Sequence, residues 1–178
     1  AVNADAVTTI TGTETAIRNA VSTAGISDLS AKNFNVNAGA DIADGNLATF
    51  LALTTGTVTA TVAADTYTNL SAAGCITETG HALALDITAG GTLPTAAQLN
   101  SLRAKTTGVV NIQQATITGF VSELAELYAA QTAGTVTGLA AETLTLLDSG
   151  TANAADLNTI NSGTSIAVAA ANITGLTG

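Results

Sequence analysis

The feature that most constrains this chain is a three-part unit that recurs along it and is clearest between Gly134 and Ser162. Behind Gly134, the triplet Thr135-Val136-Thr137 alternates polar and apolar residues with the period of a half-buried strand. Thr143-Leu144-Thr145-Leu146 repeats that alternation. A small polar loop then leads to Ala154-Ala155-Asp156-Leu157-Asn158-Thr159-Ile160, where Leu157 and Ile160 stand three apart, the spacing of a short helix with one apolar side. A unit this small cannot bury its apolar side alone, so it is expected to lie against others of its kind.

Glycine followed by an alternating strand marks the successive units at Gly56, Gly80, Gly108, Gly134 and Gly163, about 26 residues apart. The first strands fall at 34–36, 57–62, 81–85, 109–112, 135–137 and 165–168. The second strands form a column of triplets whose middle residue is expected to face inward: Thr9-Ile10-Thr11, Thr66-Tyr67-Thr68, Thr116-Ile117-Thr118, Thr143-Leu144-Thr145 and Asn172-Ile173-Thr174. Asp41-Ile42-Ala43 and Asp86-Ile87-Thr88 interrupt that column. Helical third parts are expected at 15–21, 46–51, 97–103, 122–128 and around Leu157, with helix starts at Thr95 after Pro94 and at Asp44. Residues 71–75 are too short and glycine-bearing for more than a turn. These columns predict a β-solenoid of parallel stacked coils, about 26 residues each and roughly seven turns in all, with short helices on one side and residues 1–178 forming a single repeat domain.

Composition fits a core filled in layers by small aliphatic residues: aromatics are 3% of the chain, and Met and Trp are absent. Charged residues are 10%, against about 25% in ordinary globular chains, so Thr, Ser, Asn and Gly must carry the surface. The net charge of −9, with Arg18, Lys32, Arg103 and Lys105 scattered, argues against nucleic acid as a partner. Polar residues or glycine break every apolar run before it could cross a bilayer, and no membrane insertion is expected. The start at Ala1 fits either a processed secretory chain or a piece of a longer one. Cys75 has no second cysteine with which to form an internal disulfide.

After Asp156 the sequence holds no charged residue. Ile166, Val168, Ile173 and Leu176 are therefore the expected self-assembly contact, adding to the first turn of a second copy in a head-to-tail homopolymer. The alternative is that the next repeat of a longer array covers them. Thr66, Thr68, Thr116, Thr118, Thr143 and Thr145 are expected to face outward on a grid of about 4.8 by 6.7 Å. Solenoid antifreeze proteins are similar in displaying such ranks, although Thr is also simply a good strand former and Asp41, Ala43 and Asp86 interrupt the face. His81 reads as a surface histidine, and Cys75 as a small buried filler. Neither has the further ligands of a metal site. The stretch 41–46 reads as a solvated turn in preference to a calcium loop. Asn69 and Asn172 head glycosylation sequons of a kind frequent by chance in a chain so rich in Asn and Thr. No catalytic constellation or phosphate-cradling loop is present, so neither catalysis nor a cofactor is expected.

The Thr/Ala/Gly-rich columns resemble the repeat regions of large secreted bacterial surface-layer, adhesin and filament-forming proteins. The resemblance implies an exported structural role, extracellular or at the cell surface, and carries no functional residues over. The expected function is that of a non-enzymatic structural protein assembling end to end into a filament or surface layer. An ice-binding protein, or a spacer within a giant adhesin, are the alternatives.

Overall fold

The computed structural model describes residues 2–72, 74–76 and 78–178. The readings placed on Ala1 and on Ala73 within 71–75 lie outside the described residues. The chain opens with β1 (Val2–Asn3), β2 (Thr9–Gly12) and α1 (Glu14–Ser22), then β3 (Ile26–Ser27), β4 (Asn33–Val36) and α2 (Asp44–Leu51). Next come β5 (Val58–Thr61), β6 (Asp65–Thr66), the single turn α3 (Tyr67–Leu70), β7 (Ala82–Thr88) and α4 (Ala96–Arg103). The last part holds β8 (Val110–Ile112), β9 (Thr116–Gly119), α5 (Val121–Thr132), β10 (Val136–Thr137), β11 (Thr143–Leu146), β12 (Gly150–Asn153), α6 (Ala154–Gly163) and β13 (Ile173–Thr177).

The expected stacked β-solenoid does not form: the chain is an α/β fold with a parallel sheet of 7 strands and 6 helices, 29% of it helical. The sheet runs β10-β8-β7-β5-β4-β2, with β6 also paired to β7. A solenoid needs a second continuous sheet to wall each coil, and here β9 and β11 form a separate two-stranded sheet, extended among the described residues by an isolated bridge between Thr118 and Thr95. The recurring unit also folds differently from place to place, which overturns the reading as a repeat protein. Thr9–Gly12, expected in the second column, lies in the main sheet beside Asn33–Val36. Two expected strands fuse into the seven-residue β7, Tyr67 and Thr68 enter a helix, and 165–168 form no strand. The helices supply the physical reason. Several run 8 to 12 residues, long enough to cross over the sheet and cover it, as parallel neighbours in chain order require.

Alternation in the strands places the core between sheet and helices. Phe34 and Val36 of β4, Val58 and Ala60 of β5, and Leu83, Leu85 and Ile87 of β7 are buried, while Asn35, Thr59 and Thr61 face solvent. Register keeps apolar beside apolar across the sheet, with Ile10 opposite Phe34, Phe34 opposite Val58, Leu85 opposite Val110 and Val110 opposite Val136. Above them α2 contributes Leu47, Phe50 and Leu51, and α5 contributes Leu124, Leu127 and Tyr128. Full burial of such a side chain is worth roughly 1.5–3 kcal/mol. One apolar cluster extends from Ile17 to Ile160, and Phe34 and Phe50 meet in it with ring centres 5.6 Å apart.

Candidate association surfaces

Because the sheet follows chain order, its two ends are built by opposite ends of the sequence. At the first end, β2 is an edge strand. In a parallel pair, alternate residues turn both main-chain groups toward the neighbour. Thr8 and Gly12 carbonyls accept from Asn33 and Asn37, so the main-chain groups of Thr9 and Thr11 point outward. Alongside, β1 pairs with β3, Val2 opposite Ile26. Between β1, β2 and α1 lies a hollow of about 380 Å³ lined by Val2, Val7, Ile10, Ala20, Ile26 and Leu29 among others, none of them charged. Val2 is 64% exposed and Val7 38%. The hollow is the uncovered end of the apolar core, as the packing of Ile10 and Val21 against that core shows.

Polar contacts fix its walls. Thr13 caps α1 by accepting from Ala16 N–H at 3.2 Å. Arg18 pairs with Glu14 at 2.7 Å, donates to the Asn46 carbonyl and Thr49 hydroxyl of α2, and lies over the Phe50 ring. Lys32 Nζ donates to the Asp5 carbonyl at 3.1 Å and so ties the β1–β2 connection to the next strand.

The other edge of that sheet is β10; later in the chain, β13 pairs with β12 in a separate two-stranded sheet and has no second strand partner among the described residues. Leu176 is 64% exposed and Ile166 42%, while Val168 and Ile173 are partly buried against the core. The four residues expected to form the contact thus divide into an exposed pair and a half-buried pair. Ile173 sits opposite Gly150 of β12 instead of joining β11. The divergence leaves a groove of about 360 Å³ between Thr143–Leu146 and residues 169–173.

The threonines do not form one rank. Thr143 and Thr145 of β11 lie opposite Thr116 and Thr118 of β9, a two-by-two patch. Thr66 lies opposite Thr88 at the edge of β7 and caps α3, and Thr68 is inside that helix. His81, expected on the surface, is 5% exposed. Its Nδ1 accepts from Val58 N–H at 3.0 Å, and its Nε2 faces Glu78 at 3.6 Å. Cys75 is buried, and burial, followed by the carboxylate of Asp44, pushes its thiol pKa up. Asp41 is exposed, Ile42 bridges to Val62, and Asp44 opens α2. Both sequon asparagines, Asn69 and Asn172, are exposed. Among the described residues no group of three His, Cys, Asp or Glu side chains is placed to hold a metal ion, and no helix is long and apolar enough to cross a membrane.

Two polar arrangements lie outside the sequence expectations. Glu142 accepts from the Tyr128 hydroxyl and from the N–H groups of Ala140 and Ala141, which pins the β10–β11 connection to α5. In Thr54-Thr55-Gly56 and Thr106-Thr107-Gly108, the first threonine's hydroxyl donates to a carbonyl of the preceding strand region, Lys32 or Leu83, and accepts from the glycine N–H. The repeated Thr-Thr-Gly was the readable trace of the second arrangement. Both brace the scaffold that holds the two ends apart.

Comparison with known proteins finds no matching family model, no matching curated protein and no matching solved structure.

Proposed function

We propose that this protein is a non-enzymatic structural unit, extracellular or at the cell surface, that associates end to end into a filament or layer. The observation that carries the reading is the hollow between β1, β2 and α1: apolar, uncharged and open at a sheet edge, in a chain of net charge −9. An edge strand beside exposed apolar residues is a template for another chain. The opposite end offers Ile166 and Leu176, also exposed. Two dissimilar ends that attract give a heterologous contact, which propagates instead of closing into a dimer. The placement outside the cell rests on the resemblance of the Thr/Ala/Gly-rich sequence to exported bacterial surface proteins.

Electron microscopy and light scattering of the purified protein test the reading. Filaments or sheets are expected from the unmodified chain. Val7→Lys, which places a charge in the hollow at an exposed position, is expected to give a folded monomer with unchanged circular dichroism. A monomer for the unmodified chain at millimolar concentration would contradict the proposal.

A further inference from the structure

We infer that Ile166 is a built-in stop: it ends the seven-stranded sheet at β10 and holds residues 164–169 off that edge as an unpaired segment. Two strands enter the sheet through the same turn. In Thr54-Thr55-Gly56 and Thr106-Thr107-Gly108 the first threonine's hydroxyl accepts from the glycine N–H at 2.9 Å, and two residues further on Val58 and Val110 are buried. Val58 lies opposite Phe34 and Val110 opposite Leu85, so each glycine comes against the residue two places before that partner, Lys32 or Leu83. A Cβ on either glycine would collide with that carbonyl, so this close approach demands glycine. The turn is made a third time at 164–166. Thr164 Oγ1 accepts from the N–H of residue 166 at 3.1 Å, and two residues further on Val168 packs, partly buried, against the core. Here the third residue is Ile166. In the register of the other two turns Val168 would lie opposite Val136, and the Cβ of Ile166 would strike the Gly134 carbonyl. The segment is held at Ala140 instead, whose carbonyl accepts from the N–H and the hydroxyl of Ser165, each at 2.7 Å. The ladder breaks at the same point. Phe34 N–H donates to the Thr57 carbonyl, Leu85 N–H to Val109 and Val110 N–H to Thr135, each at 3.0 Å, and the next bond of the series, from Val136 N–H to Ala167, is absent among the described residues. One side chain thus keeps the β10 edge open, whether or not copies of the chain associate.

Residue-resolved amide hydrogen exchange tests the stop, at a dilution where light scattering shows single chains. With Val168 opposite Val136, the parallel ladder would have Ala169 N–H donate to the Val136 carbonyl, and Ala169 is exposed in the unmodified chain. Ile166 is itself 42% exposed, so truncating it is expected to leave the circular dichroism of the rest of the fold in place. Ile166→Gly is expected to slow exchange at Ala169 at least tenfold. Ile166→Ala keeps the Cβ and is expected to leave that exchange unchanged. Unchanged exchange at Ala169 in Ile166→Gly would overturn the inference. Slowing in Ile166→Ala as large as in Ile166→Gly would overturn it too, because the contact that demands glycine at positions 56 and 108 would then not be what holds the segment away.

Discussion

The imidazole of His81 does the work of a main-chain carbonyl. Its Nδ1 accepts from Val58 N–H inside the sheet, which leaves the ring proton on Nε2 in the neutral form. His81→Ala is expected to strand that buried N–H and cost about 1–3 kcal/mol, read as a lower urea midpoint together with faster amide exchange at Val58. The inward placement was legible in the sequence. Leu83, Leu85 and Ile87 are the buried residues of β7, and His81 shares their parity, so the ring had to follow them inward. Placed in register with Thr57 and Thr135, which open the equivalent strands, the histidine reads outward instead. Cys75 gives a second test at this scale. Burial and the Asp44 and Asp65 carboxylates raise its pKa against a smaller opposing pull from Lys105, so the thiol is protonated near neutral pH and its reaction with a thiol reagent is expected to be at least tenfold slower in the folded chain than in urea. Because the folded pKa lies above the unfolded one, this stabilising contribution is complete below the ordinary thiol value and declines as pH rises through the folded value.

Among the elements, helices were the more readable. Thr95 caps α4 in a capping box with Gln98, and α1, α2, α5 and α6 overlap the segments whose apolar spacing suggested them. The strands were harder to place, because a Thr-x-Thr triplet suits a strand edge, a helix cap or a turn equally well. Thr66 illustrates it: one residue after pairing begins, its hydroxyl accepts from Asn69 N–H and the chain turns into α3. The glycines that marked each unit also proved to have different reasons. Gly80 and Gly134 adopt positive φ with open space around them. Gly56 and Gly108 have ordinary φ but lie hard against the carbonyls of Lys32 and Leu83, where a Cβ would collide with main chain. Gly108→Ala is expected to push β8 away from β7 and cost about 1–3 kcal/mol through overpacking. Chemical denaturation measures it. At Gly134 the same substitution is expected to cost about 1–2 kcal/mol through left-handed strain alone, with β8–β10 pairing intact.

For the whole molecule, the spacing of about 26 residues fits a coil of a solenoid and a strand–helix crossover equally. Helix length separates them, and helix length is what triplet alignment does not report. The sequence reading therefore anticipated parallel strands and lost the architecture: the helical layer is a full partner of the sheet, and the second strand column is a remnant pair. What was visible from composition is the surface, since a chain with 10% charged residues must expose Thr, Asn and small apolar groups. At net charge −9, copies repel one another at long range, and salt screens that repulsion over about 10 Å at 0.1 M. Assembly is accordingly expected to strengthen between 10 and 300 mM salt, followed by light scattering. The most direct test is to add capped copies. Leu176→Lys retains the hollow and lacks the apolar end that fills it, so mixing it at one part in ten into the unmodified protein is expected to cut the mean particle length severalfold, measured in micrographs. Particles of unchanged length, with the variant either excluded or incorporated throughout, would contradict end-to-end assembly through these surfaces.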